Sequence, residues 1–269
     1  MGALDGRSAV VTGAGGGIGR ATSIELARAG AGLTIVDRDP AALQETAREV
    51  EATGAKVISQ VADVSVAADV ADYVRAAVTG FGRIDAFFNN AGIEGPVAPL
   101  AEYPEDGFDQ VIAVNLKGVF LGLRHVLPVM IGQGAGAIVN TASMAAVIGL
   151  PGSAAYCAAK AGVTGLTRTA ATEVSRMGIR VNAILPGVIE TRMTRSLAQS
   201  FNPADPAGAW DAMAASVPMG RFGTVTEIAS VVRFLLSDES GYVTGVGWEI
   251  DGGWINCEVP AQRPEGAGQ

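Results

Sequence analysis

Seven short, almost unbroken apolar runs separated by helix-length patterns constrain this chain more than any other feature. The runs are Ala9–Thr12, Leu33–Val36, Val57–Val61, Ile84–Phe88, Ala137–Asn140, Arg180–Ile184 and Trp248–Ile250. A strand covered by helices on both faces has no solvated side, so its sequence reads as continuously apolar and not as alternating. Between the runs, apolar residues recur at helical spacing over Ile18–Arg28, Pro40–Thr53, Val66–Thr79, Asp109–Ile131, Tyr156–Arg176 and Thr226–Leu236. Asp39 before Pro40 is an N-cap followed by proline at the first helical position, and Thr224 with Glu227 has the spacing of a capping box. Strands alternating with helices predict an α/β fold. Its sheet should be doubly wound, mostly parallel and seven-stranded, with helices on both faces. Residues 1–257 read as one domain, and the Pro-, Gly- and charge-rich segment 258–269 as a tail that is mobile or docks on a neighbouring subunit.

The first strand–helix junction reads Thr12-Gly13-Ala14-Gly15-Gly16-Gly17-Ile18-Gly19. Glycines at 13, 17 and 19 permit a tight turn, close approach of backbone amides to a pyrophosphate, and tight packing of the helix that Ile18 opens. The spacing is G-x-x-x-G-x-G and departs from the usual dinucleotide fingerprint. Asp37 closes the second strand, where a carboxylate accepts hydrogen bonds from adenosine ribose hydroxyls and repels a 2′-phosphate. That favours NAD over NADP, although Arg38 next to it could accommodate a phosphate. Asp63-Val64 ends the third strand, where Asp63 either reaches an adenine amino group or caps the following helix.

Tyr156 and Lys160 stand at i and i+4 on an Ala-rich helical run, with Cβ atoms about 6 Å apart on one face. A phenol titrates near pH ~10, and a neighbouring ammonium lowers that value towards the range useful for acid–base chemistry. Taken alone, a surface Tyr–Lys pair on a solvated helix would look the same.

Composition removes several alternatives. A net charge of −8 with a pI near 4.7 argues against nucleic acid or an anionic membrane as partner. His125 is the single histidine and lies in an apolar helical run, so a histidine triad or a zinc centre has little support. Cys157 and Cys257 form neither a disulfide framework nor a metal site, and no metal is expected. No basic segment leads into an apolar one after Met1, and no run of 18 or more apolar residues occurs. The expected compartment is the cytoplasm.

With these pieces together the sequence resembles the short-chain dehydrogenase/reductase family over essentially its whole length. The likeness rests on Thr12–Gly19, Asp63, Asn89-Asn90-Ala91-Gly92, Asn115, Ser143, Tyr156, Lys160, Pro186-Gly187 and Asp251-Gly252-Gly253, in that order. It implies a Rossmann-type domain that transfers hydride to or from nicotinamide. In this resemblance Tyr156 is the general acid/base, Lys160 holds the nicotinamide ribose and lowers the tyrosine pKa, and Ser143 donates a hydrogen bond to the substrate oxygen. Ser153 is a rival hydroxyl at the wrong offset from Tyr156. Asn115 anchors a water that links Lys160 to solvent, and Asn89, Asn90, Ala91 and Gly92 support the sheet and the adenine side. Pro186, Gly187, Val188 and Thr191 flank the nicotinamide. A homotetramer, or a dimer, is expected through the Asp109–Ile131 and Tyr156–Arg176 helices.

The segment from Ile189 through Trp210 to Met219 matches the family's variable lid. Ile93, Val147, Ile148, Leu150, Val188, Met193 and Trp210 are candidate pocket walls, and Glu94 near the mouth reads as a solvated charge. Apolar walls favour a hydrophobic, cyclic or aryl secondary alcohol and its ketone. The run Phe87–Gly95 resembles relatives acting on cyclic ketones. The rival enzyme is a 3-oxoacyl-carrier-protein reductase, which would want a basic docking surface and NADPH. A non-catalytic NAD-binding regulator would have no need of Ser143, Tyr156 and Lys160.

Overall fold

The computed structural model describes residues 2–259, so the tail expected at 258–269 lies outside the described residues from position 260 onward. Strands β1 (Ser8–Thr12), β2 (Gly32–Asp37), β3 (Val57–Val61), β4 (Ala86–Asn89), β5 (Gly136–Thr141), β6 (Ile179–Pro186) and β7 (Gly247–Ile250) form one sheet in the order 3-2-1-4-5-6-7. Every pairing is parallel, where the sequence predicted a mostly parallel sheet. The helices are α1 (Gly17–Arg28), α2 (Pro40–Glu51), α3 (Ala67–Phe81), α4 (Glu105–Ile112), α5 (Gly118–Gln133), α6 (Ala154–Val174), α7 (Arg192–Phe201), α8 (Pro206–Ala215) and α9 (Val225–Leu236).

Successive strand residues go to opposite cores, which is why the runs carry no polar face. Val10, Phe87 and Ile138 pack with Tyr73, Val126, Met130 and Val163 under α3, α5 and α6. Their neighbours Val11, Phe88 and Val139 pack with Leu26, Leu43, Val50 and Val232 under α1, α2 and α9. Each large side chain fully removed from water contributes about 1.5–3 kcal/mol, so a polar residue in either register would be strongly unfavourable. The predicted caps form. Asp39 accepts from the Ala41 and Ala42 amides, and Thr224 and Glu227 make the reciprocal box that starts α9.

Most boundaries shift by one or two residues, and two shifts have a clear cause. The fourth strand begins at Ala86 because Ile84 gives its amide and carbonyl to the Gln133 side chain, and buried Asp85 takes the Ser8 amide and Arg83. The helix expected over Asp109–Ile131 starts earlier and contains one π turn, Ala113–Lys117, between α4 and α5. By length and composition Glu105–Gln133 could cross a membrane, but 44% of its apolar window is buried in this fold, as befits a core helix.

The strand order reverses between β1 and β4. The chain runs outward from β1 to β3, then crosses to β4 and runs outward the other way. Loops leaving the C-terminal ends of β1 and β4 therefore diverge and open a crevice, where open α/β sheets bind ligands.

Candidate active site

The loop after β1 is shaped for a phosphate. Gly13 and Gly17 have φ of +65° and +51°, a region that L side chains rarely adopt. A Cβ on Gly19 would lie 2.0 Å from the Gly13 carbonyl oxygen, and one on Gly13 would lie 2.8 Å from Ala91 Cα. Gly16 caps α1 without a side-chain hydrogen bond, and no acidic residue occupies the first turn. The amides of that turn are thus left to an anion, with the helix dipole behind them. A dinucleotide pyrophosphate fits this cradle.

Asp37 closes β2 beside the loop. Its Oδ2 accepts the Gly15 amide at 2.8 Å and Oδ1 accepts the Asp39 amide at 3.0 Å. A carboxylate offers about four acceptor sites, so two remain for ribose hydroxyls. Asp63 takes the Ser65 amide and hydroxyl on Oδ1, and these bonds to Ser65 hold its carboxyl below the usual range. The helix-capping reading of Asp63 is not realised, since Val66 is the N-cap of α3 without a side-chain bond and Asp63 instead closes a turn on Ser65. Val64 is buried, with its side chain against Gly118.

Thr12, Asn90 and Thr141 tie the ends of three strands together. The Thr12 hydroxyl accepts the Asn90 and Ala91 amides, Asn90 Nδ2 donates to the Thr12 carbonyl, and the Thr141 hydroxyl donates to Asn90 Oδ1. Asn89 is buried and bonds the Val119 carbonyl and Asn140. A Cβ on Gly92 would sit 3.2 Å from Asn115 Oδ1 and 3.6 Å from Lys160 Nζ, so Gly92 lies directly between these two groups. Asn115 lies in the π turn, fully buried, with Oδ1 accepting the Ile93 amide and Nδ2 donating to the Ile93 carbonyl, both at 2.8 Å. The extra residue of a π turn rotates that side chain out of helical register and into the crevice.

Ser143, Tyr156 and Lys160 converge at the C-terminal end of β5 and the first two turns of α6. Lys160 Nζ lies 5.5 Å from the Tyr156 ring centroid and donates to the Thr141 carbonyl at 2.7 Å. Burial lowers the Lys160 pKa from 10.5 to about 8. Burial also raises the Tyr156 pKa, which the Ser143 hydroxyl opposes and the nearby Cys157 and Glu94 reinforce. The lowering that the resemblance implies comes from Lys160 together with the positive nicotinamide ring, so it belongs to the cofactor-bound enzyme. Desolvation disfavours the phenolate more than any neighbour favours it. Ser153 is buried at the start of α6, where its carbonyl accepts the Cys157 amide.

The Lys160 shift has a measurable consequence. Its folded pKa lies below its unfolded one, so between about pH 8 and pH 10.5 the unfolded chain binds more protons. Stability gained from this group rises with pH across that window and is lost as pH falls through about 8. Denaturant titrations of the wild type and Lys160→Met at the two ends of the window should show a rise with pH in the wild type that the variant lacks. Equal slopes would contradict the assignment.

Pro186 closes β6 and pairs with Ile250, and a Cβ on Gly187 would lie 2.7 Å from Asp251 Cα. The Val188 carbonyl accepts the Gly223 amide. Thr191 caps α7 by accepting the Thr194 amide, and its methyl lies 3.6 Å from the Cβ position of Gly17. The segment 189–219, expected as a lid, therefore begins directly across from the glycine loop. In that segment Trp210 packs edge-on against Phe222 at 4.4 Å, with Arg195 over its ring. Ile93, Tyr103 and Tyr156 pack against the buried cluster of Val111, Ala155 and Ala159. Glu94 departs from the solvated charge expected: Oε1 accepts the Ser196 hydroxyl of α7 at 2.7 Å, and Oε2 is buried without a partner.

Comparison with known proteins agrees with this arrangement. A family model described as enoyl-(acyl carrier protein) reductase matches residues 13–255. Levodione reductase of Leifsonia aquatica is 46% identical over 249 residues, spanning 92% of this chain and 93% of that one. The chain belongs to the short-chain dehydrogenase/reductase family. It is an oxidoreductase. The enzyme is also 42% identical to a 3-oxoacyl-[acyl-carrier-protein] reductase of Thermotoga maritima (94% of this chain, 99% of that one). It is 40% identical to cyclohexanol dehydrogenase of an Acinetobacter species (92% and 94%). Among solved structures, levodione reductase superposes with a TM-score of 0.92, covering 93% of this chain and 98% of that one. An NAD+-bound xylitol dehydrogenase does so at 0.90 and 41% identity, covering 93% and 99%. The NAD+-bound relative supports a nicotinamide cofactor for the family.

Several groups at the site carried no signal in the sequence. Arg20 donates to the Gly15 and Ala42 carbonyls, to Thr46 and to Glu45, pinning the glycine loop to α2. The tethers from Thr12 and Thr141, and the approach of Tyr103 and Ser196 to the pocket, join segments far apart in the chain. Only the capping position of Thr191 could have been read locally.

Proposed function

We propose that the enzyme interconverts a hydrophobic, cyclic or aryl secondary alcohol and its ketone with NAD. The observation that carries this reading is the convergence of Tyr156, Ser143 and Lys160 beside the glycine loop, with Asp37 at the ribose position. Gly13, Gly17, Ile18 and Gly19 cradle the pyrophosphate, and Asp37 holds the adenosine ribose. Asp63, Val64, Asn90, Ala91 and Gly92 border the adenine side, and Pro186, Gly187, Val188 and Thr191 the nicotinamide side. When bound, the nicotinamide supplies the hydride acceptor or donor. Tyr156 exchanges a proton with the substrate oxygen, and the Ser143 hydroxyl donates to that oxygen as charge develops. Lys160, kept dry by its burial, offers donors towards the ribose and to the Thr141 carbonyl. Asn115 holds the Ile93 backbone in place beside the reacting centre.

Relatives named as levodione reductase and cyclohexanol dehydrogenase support a cyclic substrate. An NAD+-bound relative supports the choice of cofactor, as does the free acceptor capacity of Asp37. The alternative, a 3-oxoacyl-carrier-protein reductase, is favoured by the Thermotoga maritima relative, but the net charge of −8 suits an acidic carrier poorly. The test is an NADH-formation screen over cyclic, aryl and steroid secondary alcohols alongside reduction of acyl thioesters. Turnover confined to thioesters would replace this reading with the alternative.

The reading extends to assembly and compartment. Phe108, Phe120 and Ile131 are exposed along α4 and α5, apolar surface that pairing of subunits would cover in a homotetramer or dimer. Light scattering after size exclusion should show one of these, and a stable monomer would contradict the pairing. Both cysteines are free, as suits the cytoplasm.

A further inference from the structure

The ladder between β4 and β5 ends at the pair Asn89 and Asn140, one residue short of Thr141. On its other side Thr141 still pairs with Ile184 of β6, and the Ala142 amide donates to the Ile184 carbonyl. Backbone therefore holds this strand end from one side and leaves it open towards the crevice. A single side-chain bond bridges the opening: the Thr141 hydroxyl donates to Asn90 Oδ1 at 3.1 Å. Asn90 is itself anchored. Its amide donates to the Thr12 hydroxyl at 2.9 Å, and its Nδ2 donates to the Thr12 carbonyl at 3.0 Å. That Nδ2 lies 3.0 Å from the Cβ position of Gly13 and 2.9 Å from that of Gly19, inside the turn of the glycine loop. The carbonyl of Thr141 carries the other end of the connection. Lys160 is only 2% exposed and donates to that carbonyl at 2.7 Å. A buried ammonium is costly to leave unpaired, so its place follows the acceptor that the fold supplies. Three hydrogen bonds thus run from the start of the glycine loop through Asn90 and Thr141 to Lys160.

We propose that Thr141 is a positioning residue for hydride transfer: its hydroxyl, anchored on Asn90, fixes the strand end whose carbonyl orients Lys160 towards the nicotinamide ribose and Tyr156. Helix α6 decides where the lysine backbone lies, but the long side chain has many staggered rotamers, and one fixed acceptor selects among them. The pyrophosphate end and the ribose end of one dinucleotide are then held at a constant separation. Valine at this position keeps the β-branch that suits a strand and loses the tie to Asn90. The carbonyl that takes Lys160 would be left on a strand end braced from β6 alone. This inference rests on the NAD-linked alcohol–ketone reading of the site and adds a residue to its machinery.

The test measures NADH affinity by fluorescence titration, and kcat with an alcohol that the screen identifies, in Thr141→Val, Thr141→Ser and Lys160→Met. Thr141→Val should weaken NADH binding and lower kcat, each by about three- to tenfold, the scale of one neutral hydrogen bond. Thr141→Ser keeps the hydroxyl and should restore both. Thr141→Ala is the second hydroxyl-free variant should Thr141→Val fail to fold. In a Lys160→Met background, adding Thr141→Val should weaken NADH binding no further, because the threonine acts through the ammonium. An additive loss there makes Thr141 a brace of the strand end and overturns the proposal. NADH affinity and kcat unmoved by loss of the hydroxyl, whatever happens to the melting temperature, or unrestored by Thr141→Ser, also overturn it. A wild type that binds NADH but oxidises no alcohol defeats the alcohol–ketone reading, and the titrations still decide the role of Thr141. A wild type that neither binds NADH nor turns over an alcohol defeats both together.

Discussion

Tyr156→Phe should lower kcat by about two to four orders of magnitude, the range ascribed to a positioned general acid/base, while NAD affinity stays within a few fold. The substitution removes one oxygen from a half-buried ring that packs with Ile93 and Ala155, and phenylalanine fills the same place. What disappears is the proton carrier at the substrate oxygen. Steady-state oxidation of whichever alcohol the screen identifies, together with fluorescence titration of NAD, separates the two quantities. Retained turnover would reject Tyr156 as the acid/base. A collapse of both kcat and NAD affinity would indicate a structural role. The phenol's raised pKa sharpens this. In the protein by itself the proton is held more tightly than in water, which makes the phenol the weaker acid. Base behaviour in the direction of alcohol oxidation requires positive charge nearby, which the ammonium of Lys160 carries while it donates one hydrogen bond to the Thr141 carbonyl.

Asp37→Ala should lower the ratio of kcat/KM with NAD to that with NADP by about ten- to a hundredfold, the scale of hydrogen bonds made to a charged group. Two effects combine. The ribose loses its acceptor, and a 2′-phosphate no longer meets a carboxylate while Arg38 stands next in the chain. Asp37 also holds the Gly15 amide at 2.8 Å, so its removal loosens the phosphate cradle for both cofactors. Absolute efficiency should therefore fall with NAD and rise little with NADP. Asp37→Asn keeps an acceptor for Gly15 and isolates the charge. An unchanged ratio in both variants would count against the ribose role.

Much of the crevice was legible because its parts are local. Gly13, Gly17 and Gly19 are demanded by a turn and a helix start adjacent in the chain, and Asp37 follows from the end of one strand. Tyr156 and Lys160 share a face because helical spacing puts them there. The boundary of β4 was misread since Ile84 is apolar, yet its backbone is bonded to Gln133, 49 residues away. The π turn that aims Asn115 was invisible for a related reason: its justification is the Ile93 backbone across the crevice, which no helical periodicity encodes.

The amino-acid pattern alone determined a parallel sheet wrapped by helices, a nucleotide cradle on its first turn and a tyrosine–lysine pair, because each depends on residues a few positions apart. Tertiary packing decided the titration of that pair and the surroundings of the substrate. Burial acts on both the phenol and the amine, and α7 brings Ser196 against Glu94 across 102 positions of chain. Desolvation and long-range contact arise only once the whole chain has excluded water, so no local stretch of sequence could have announced them.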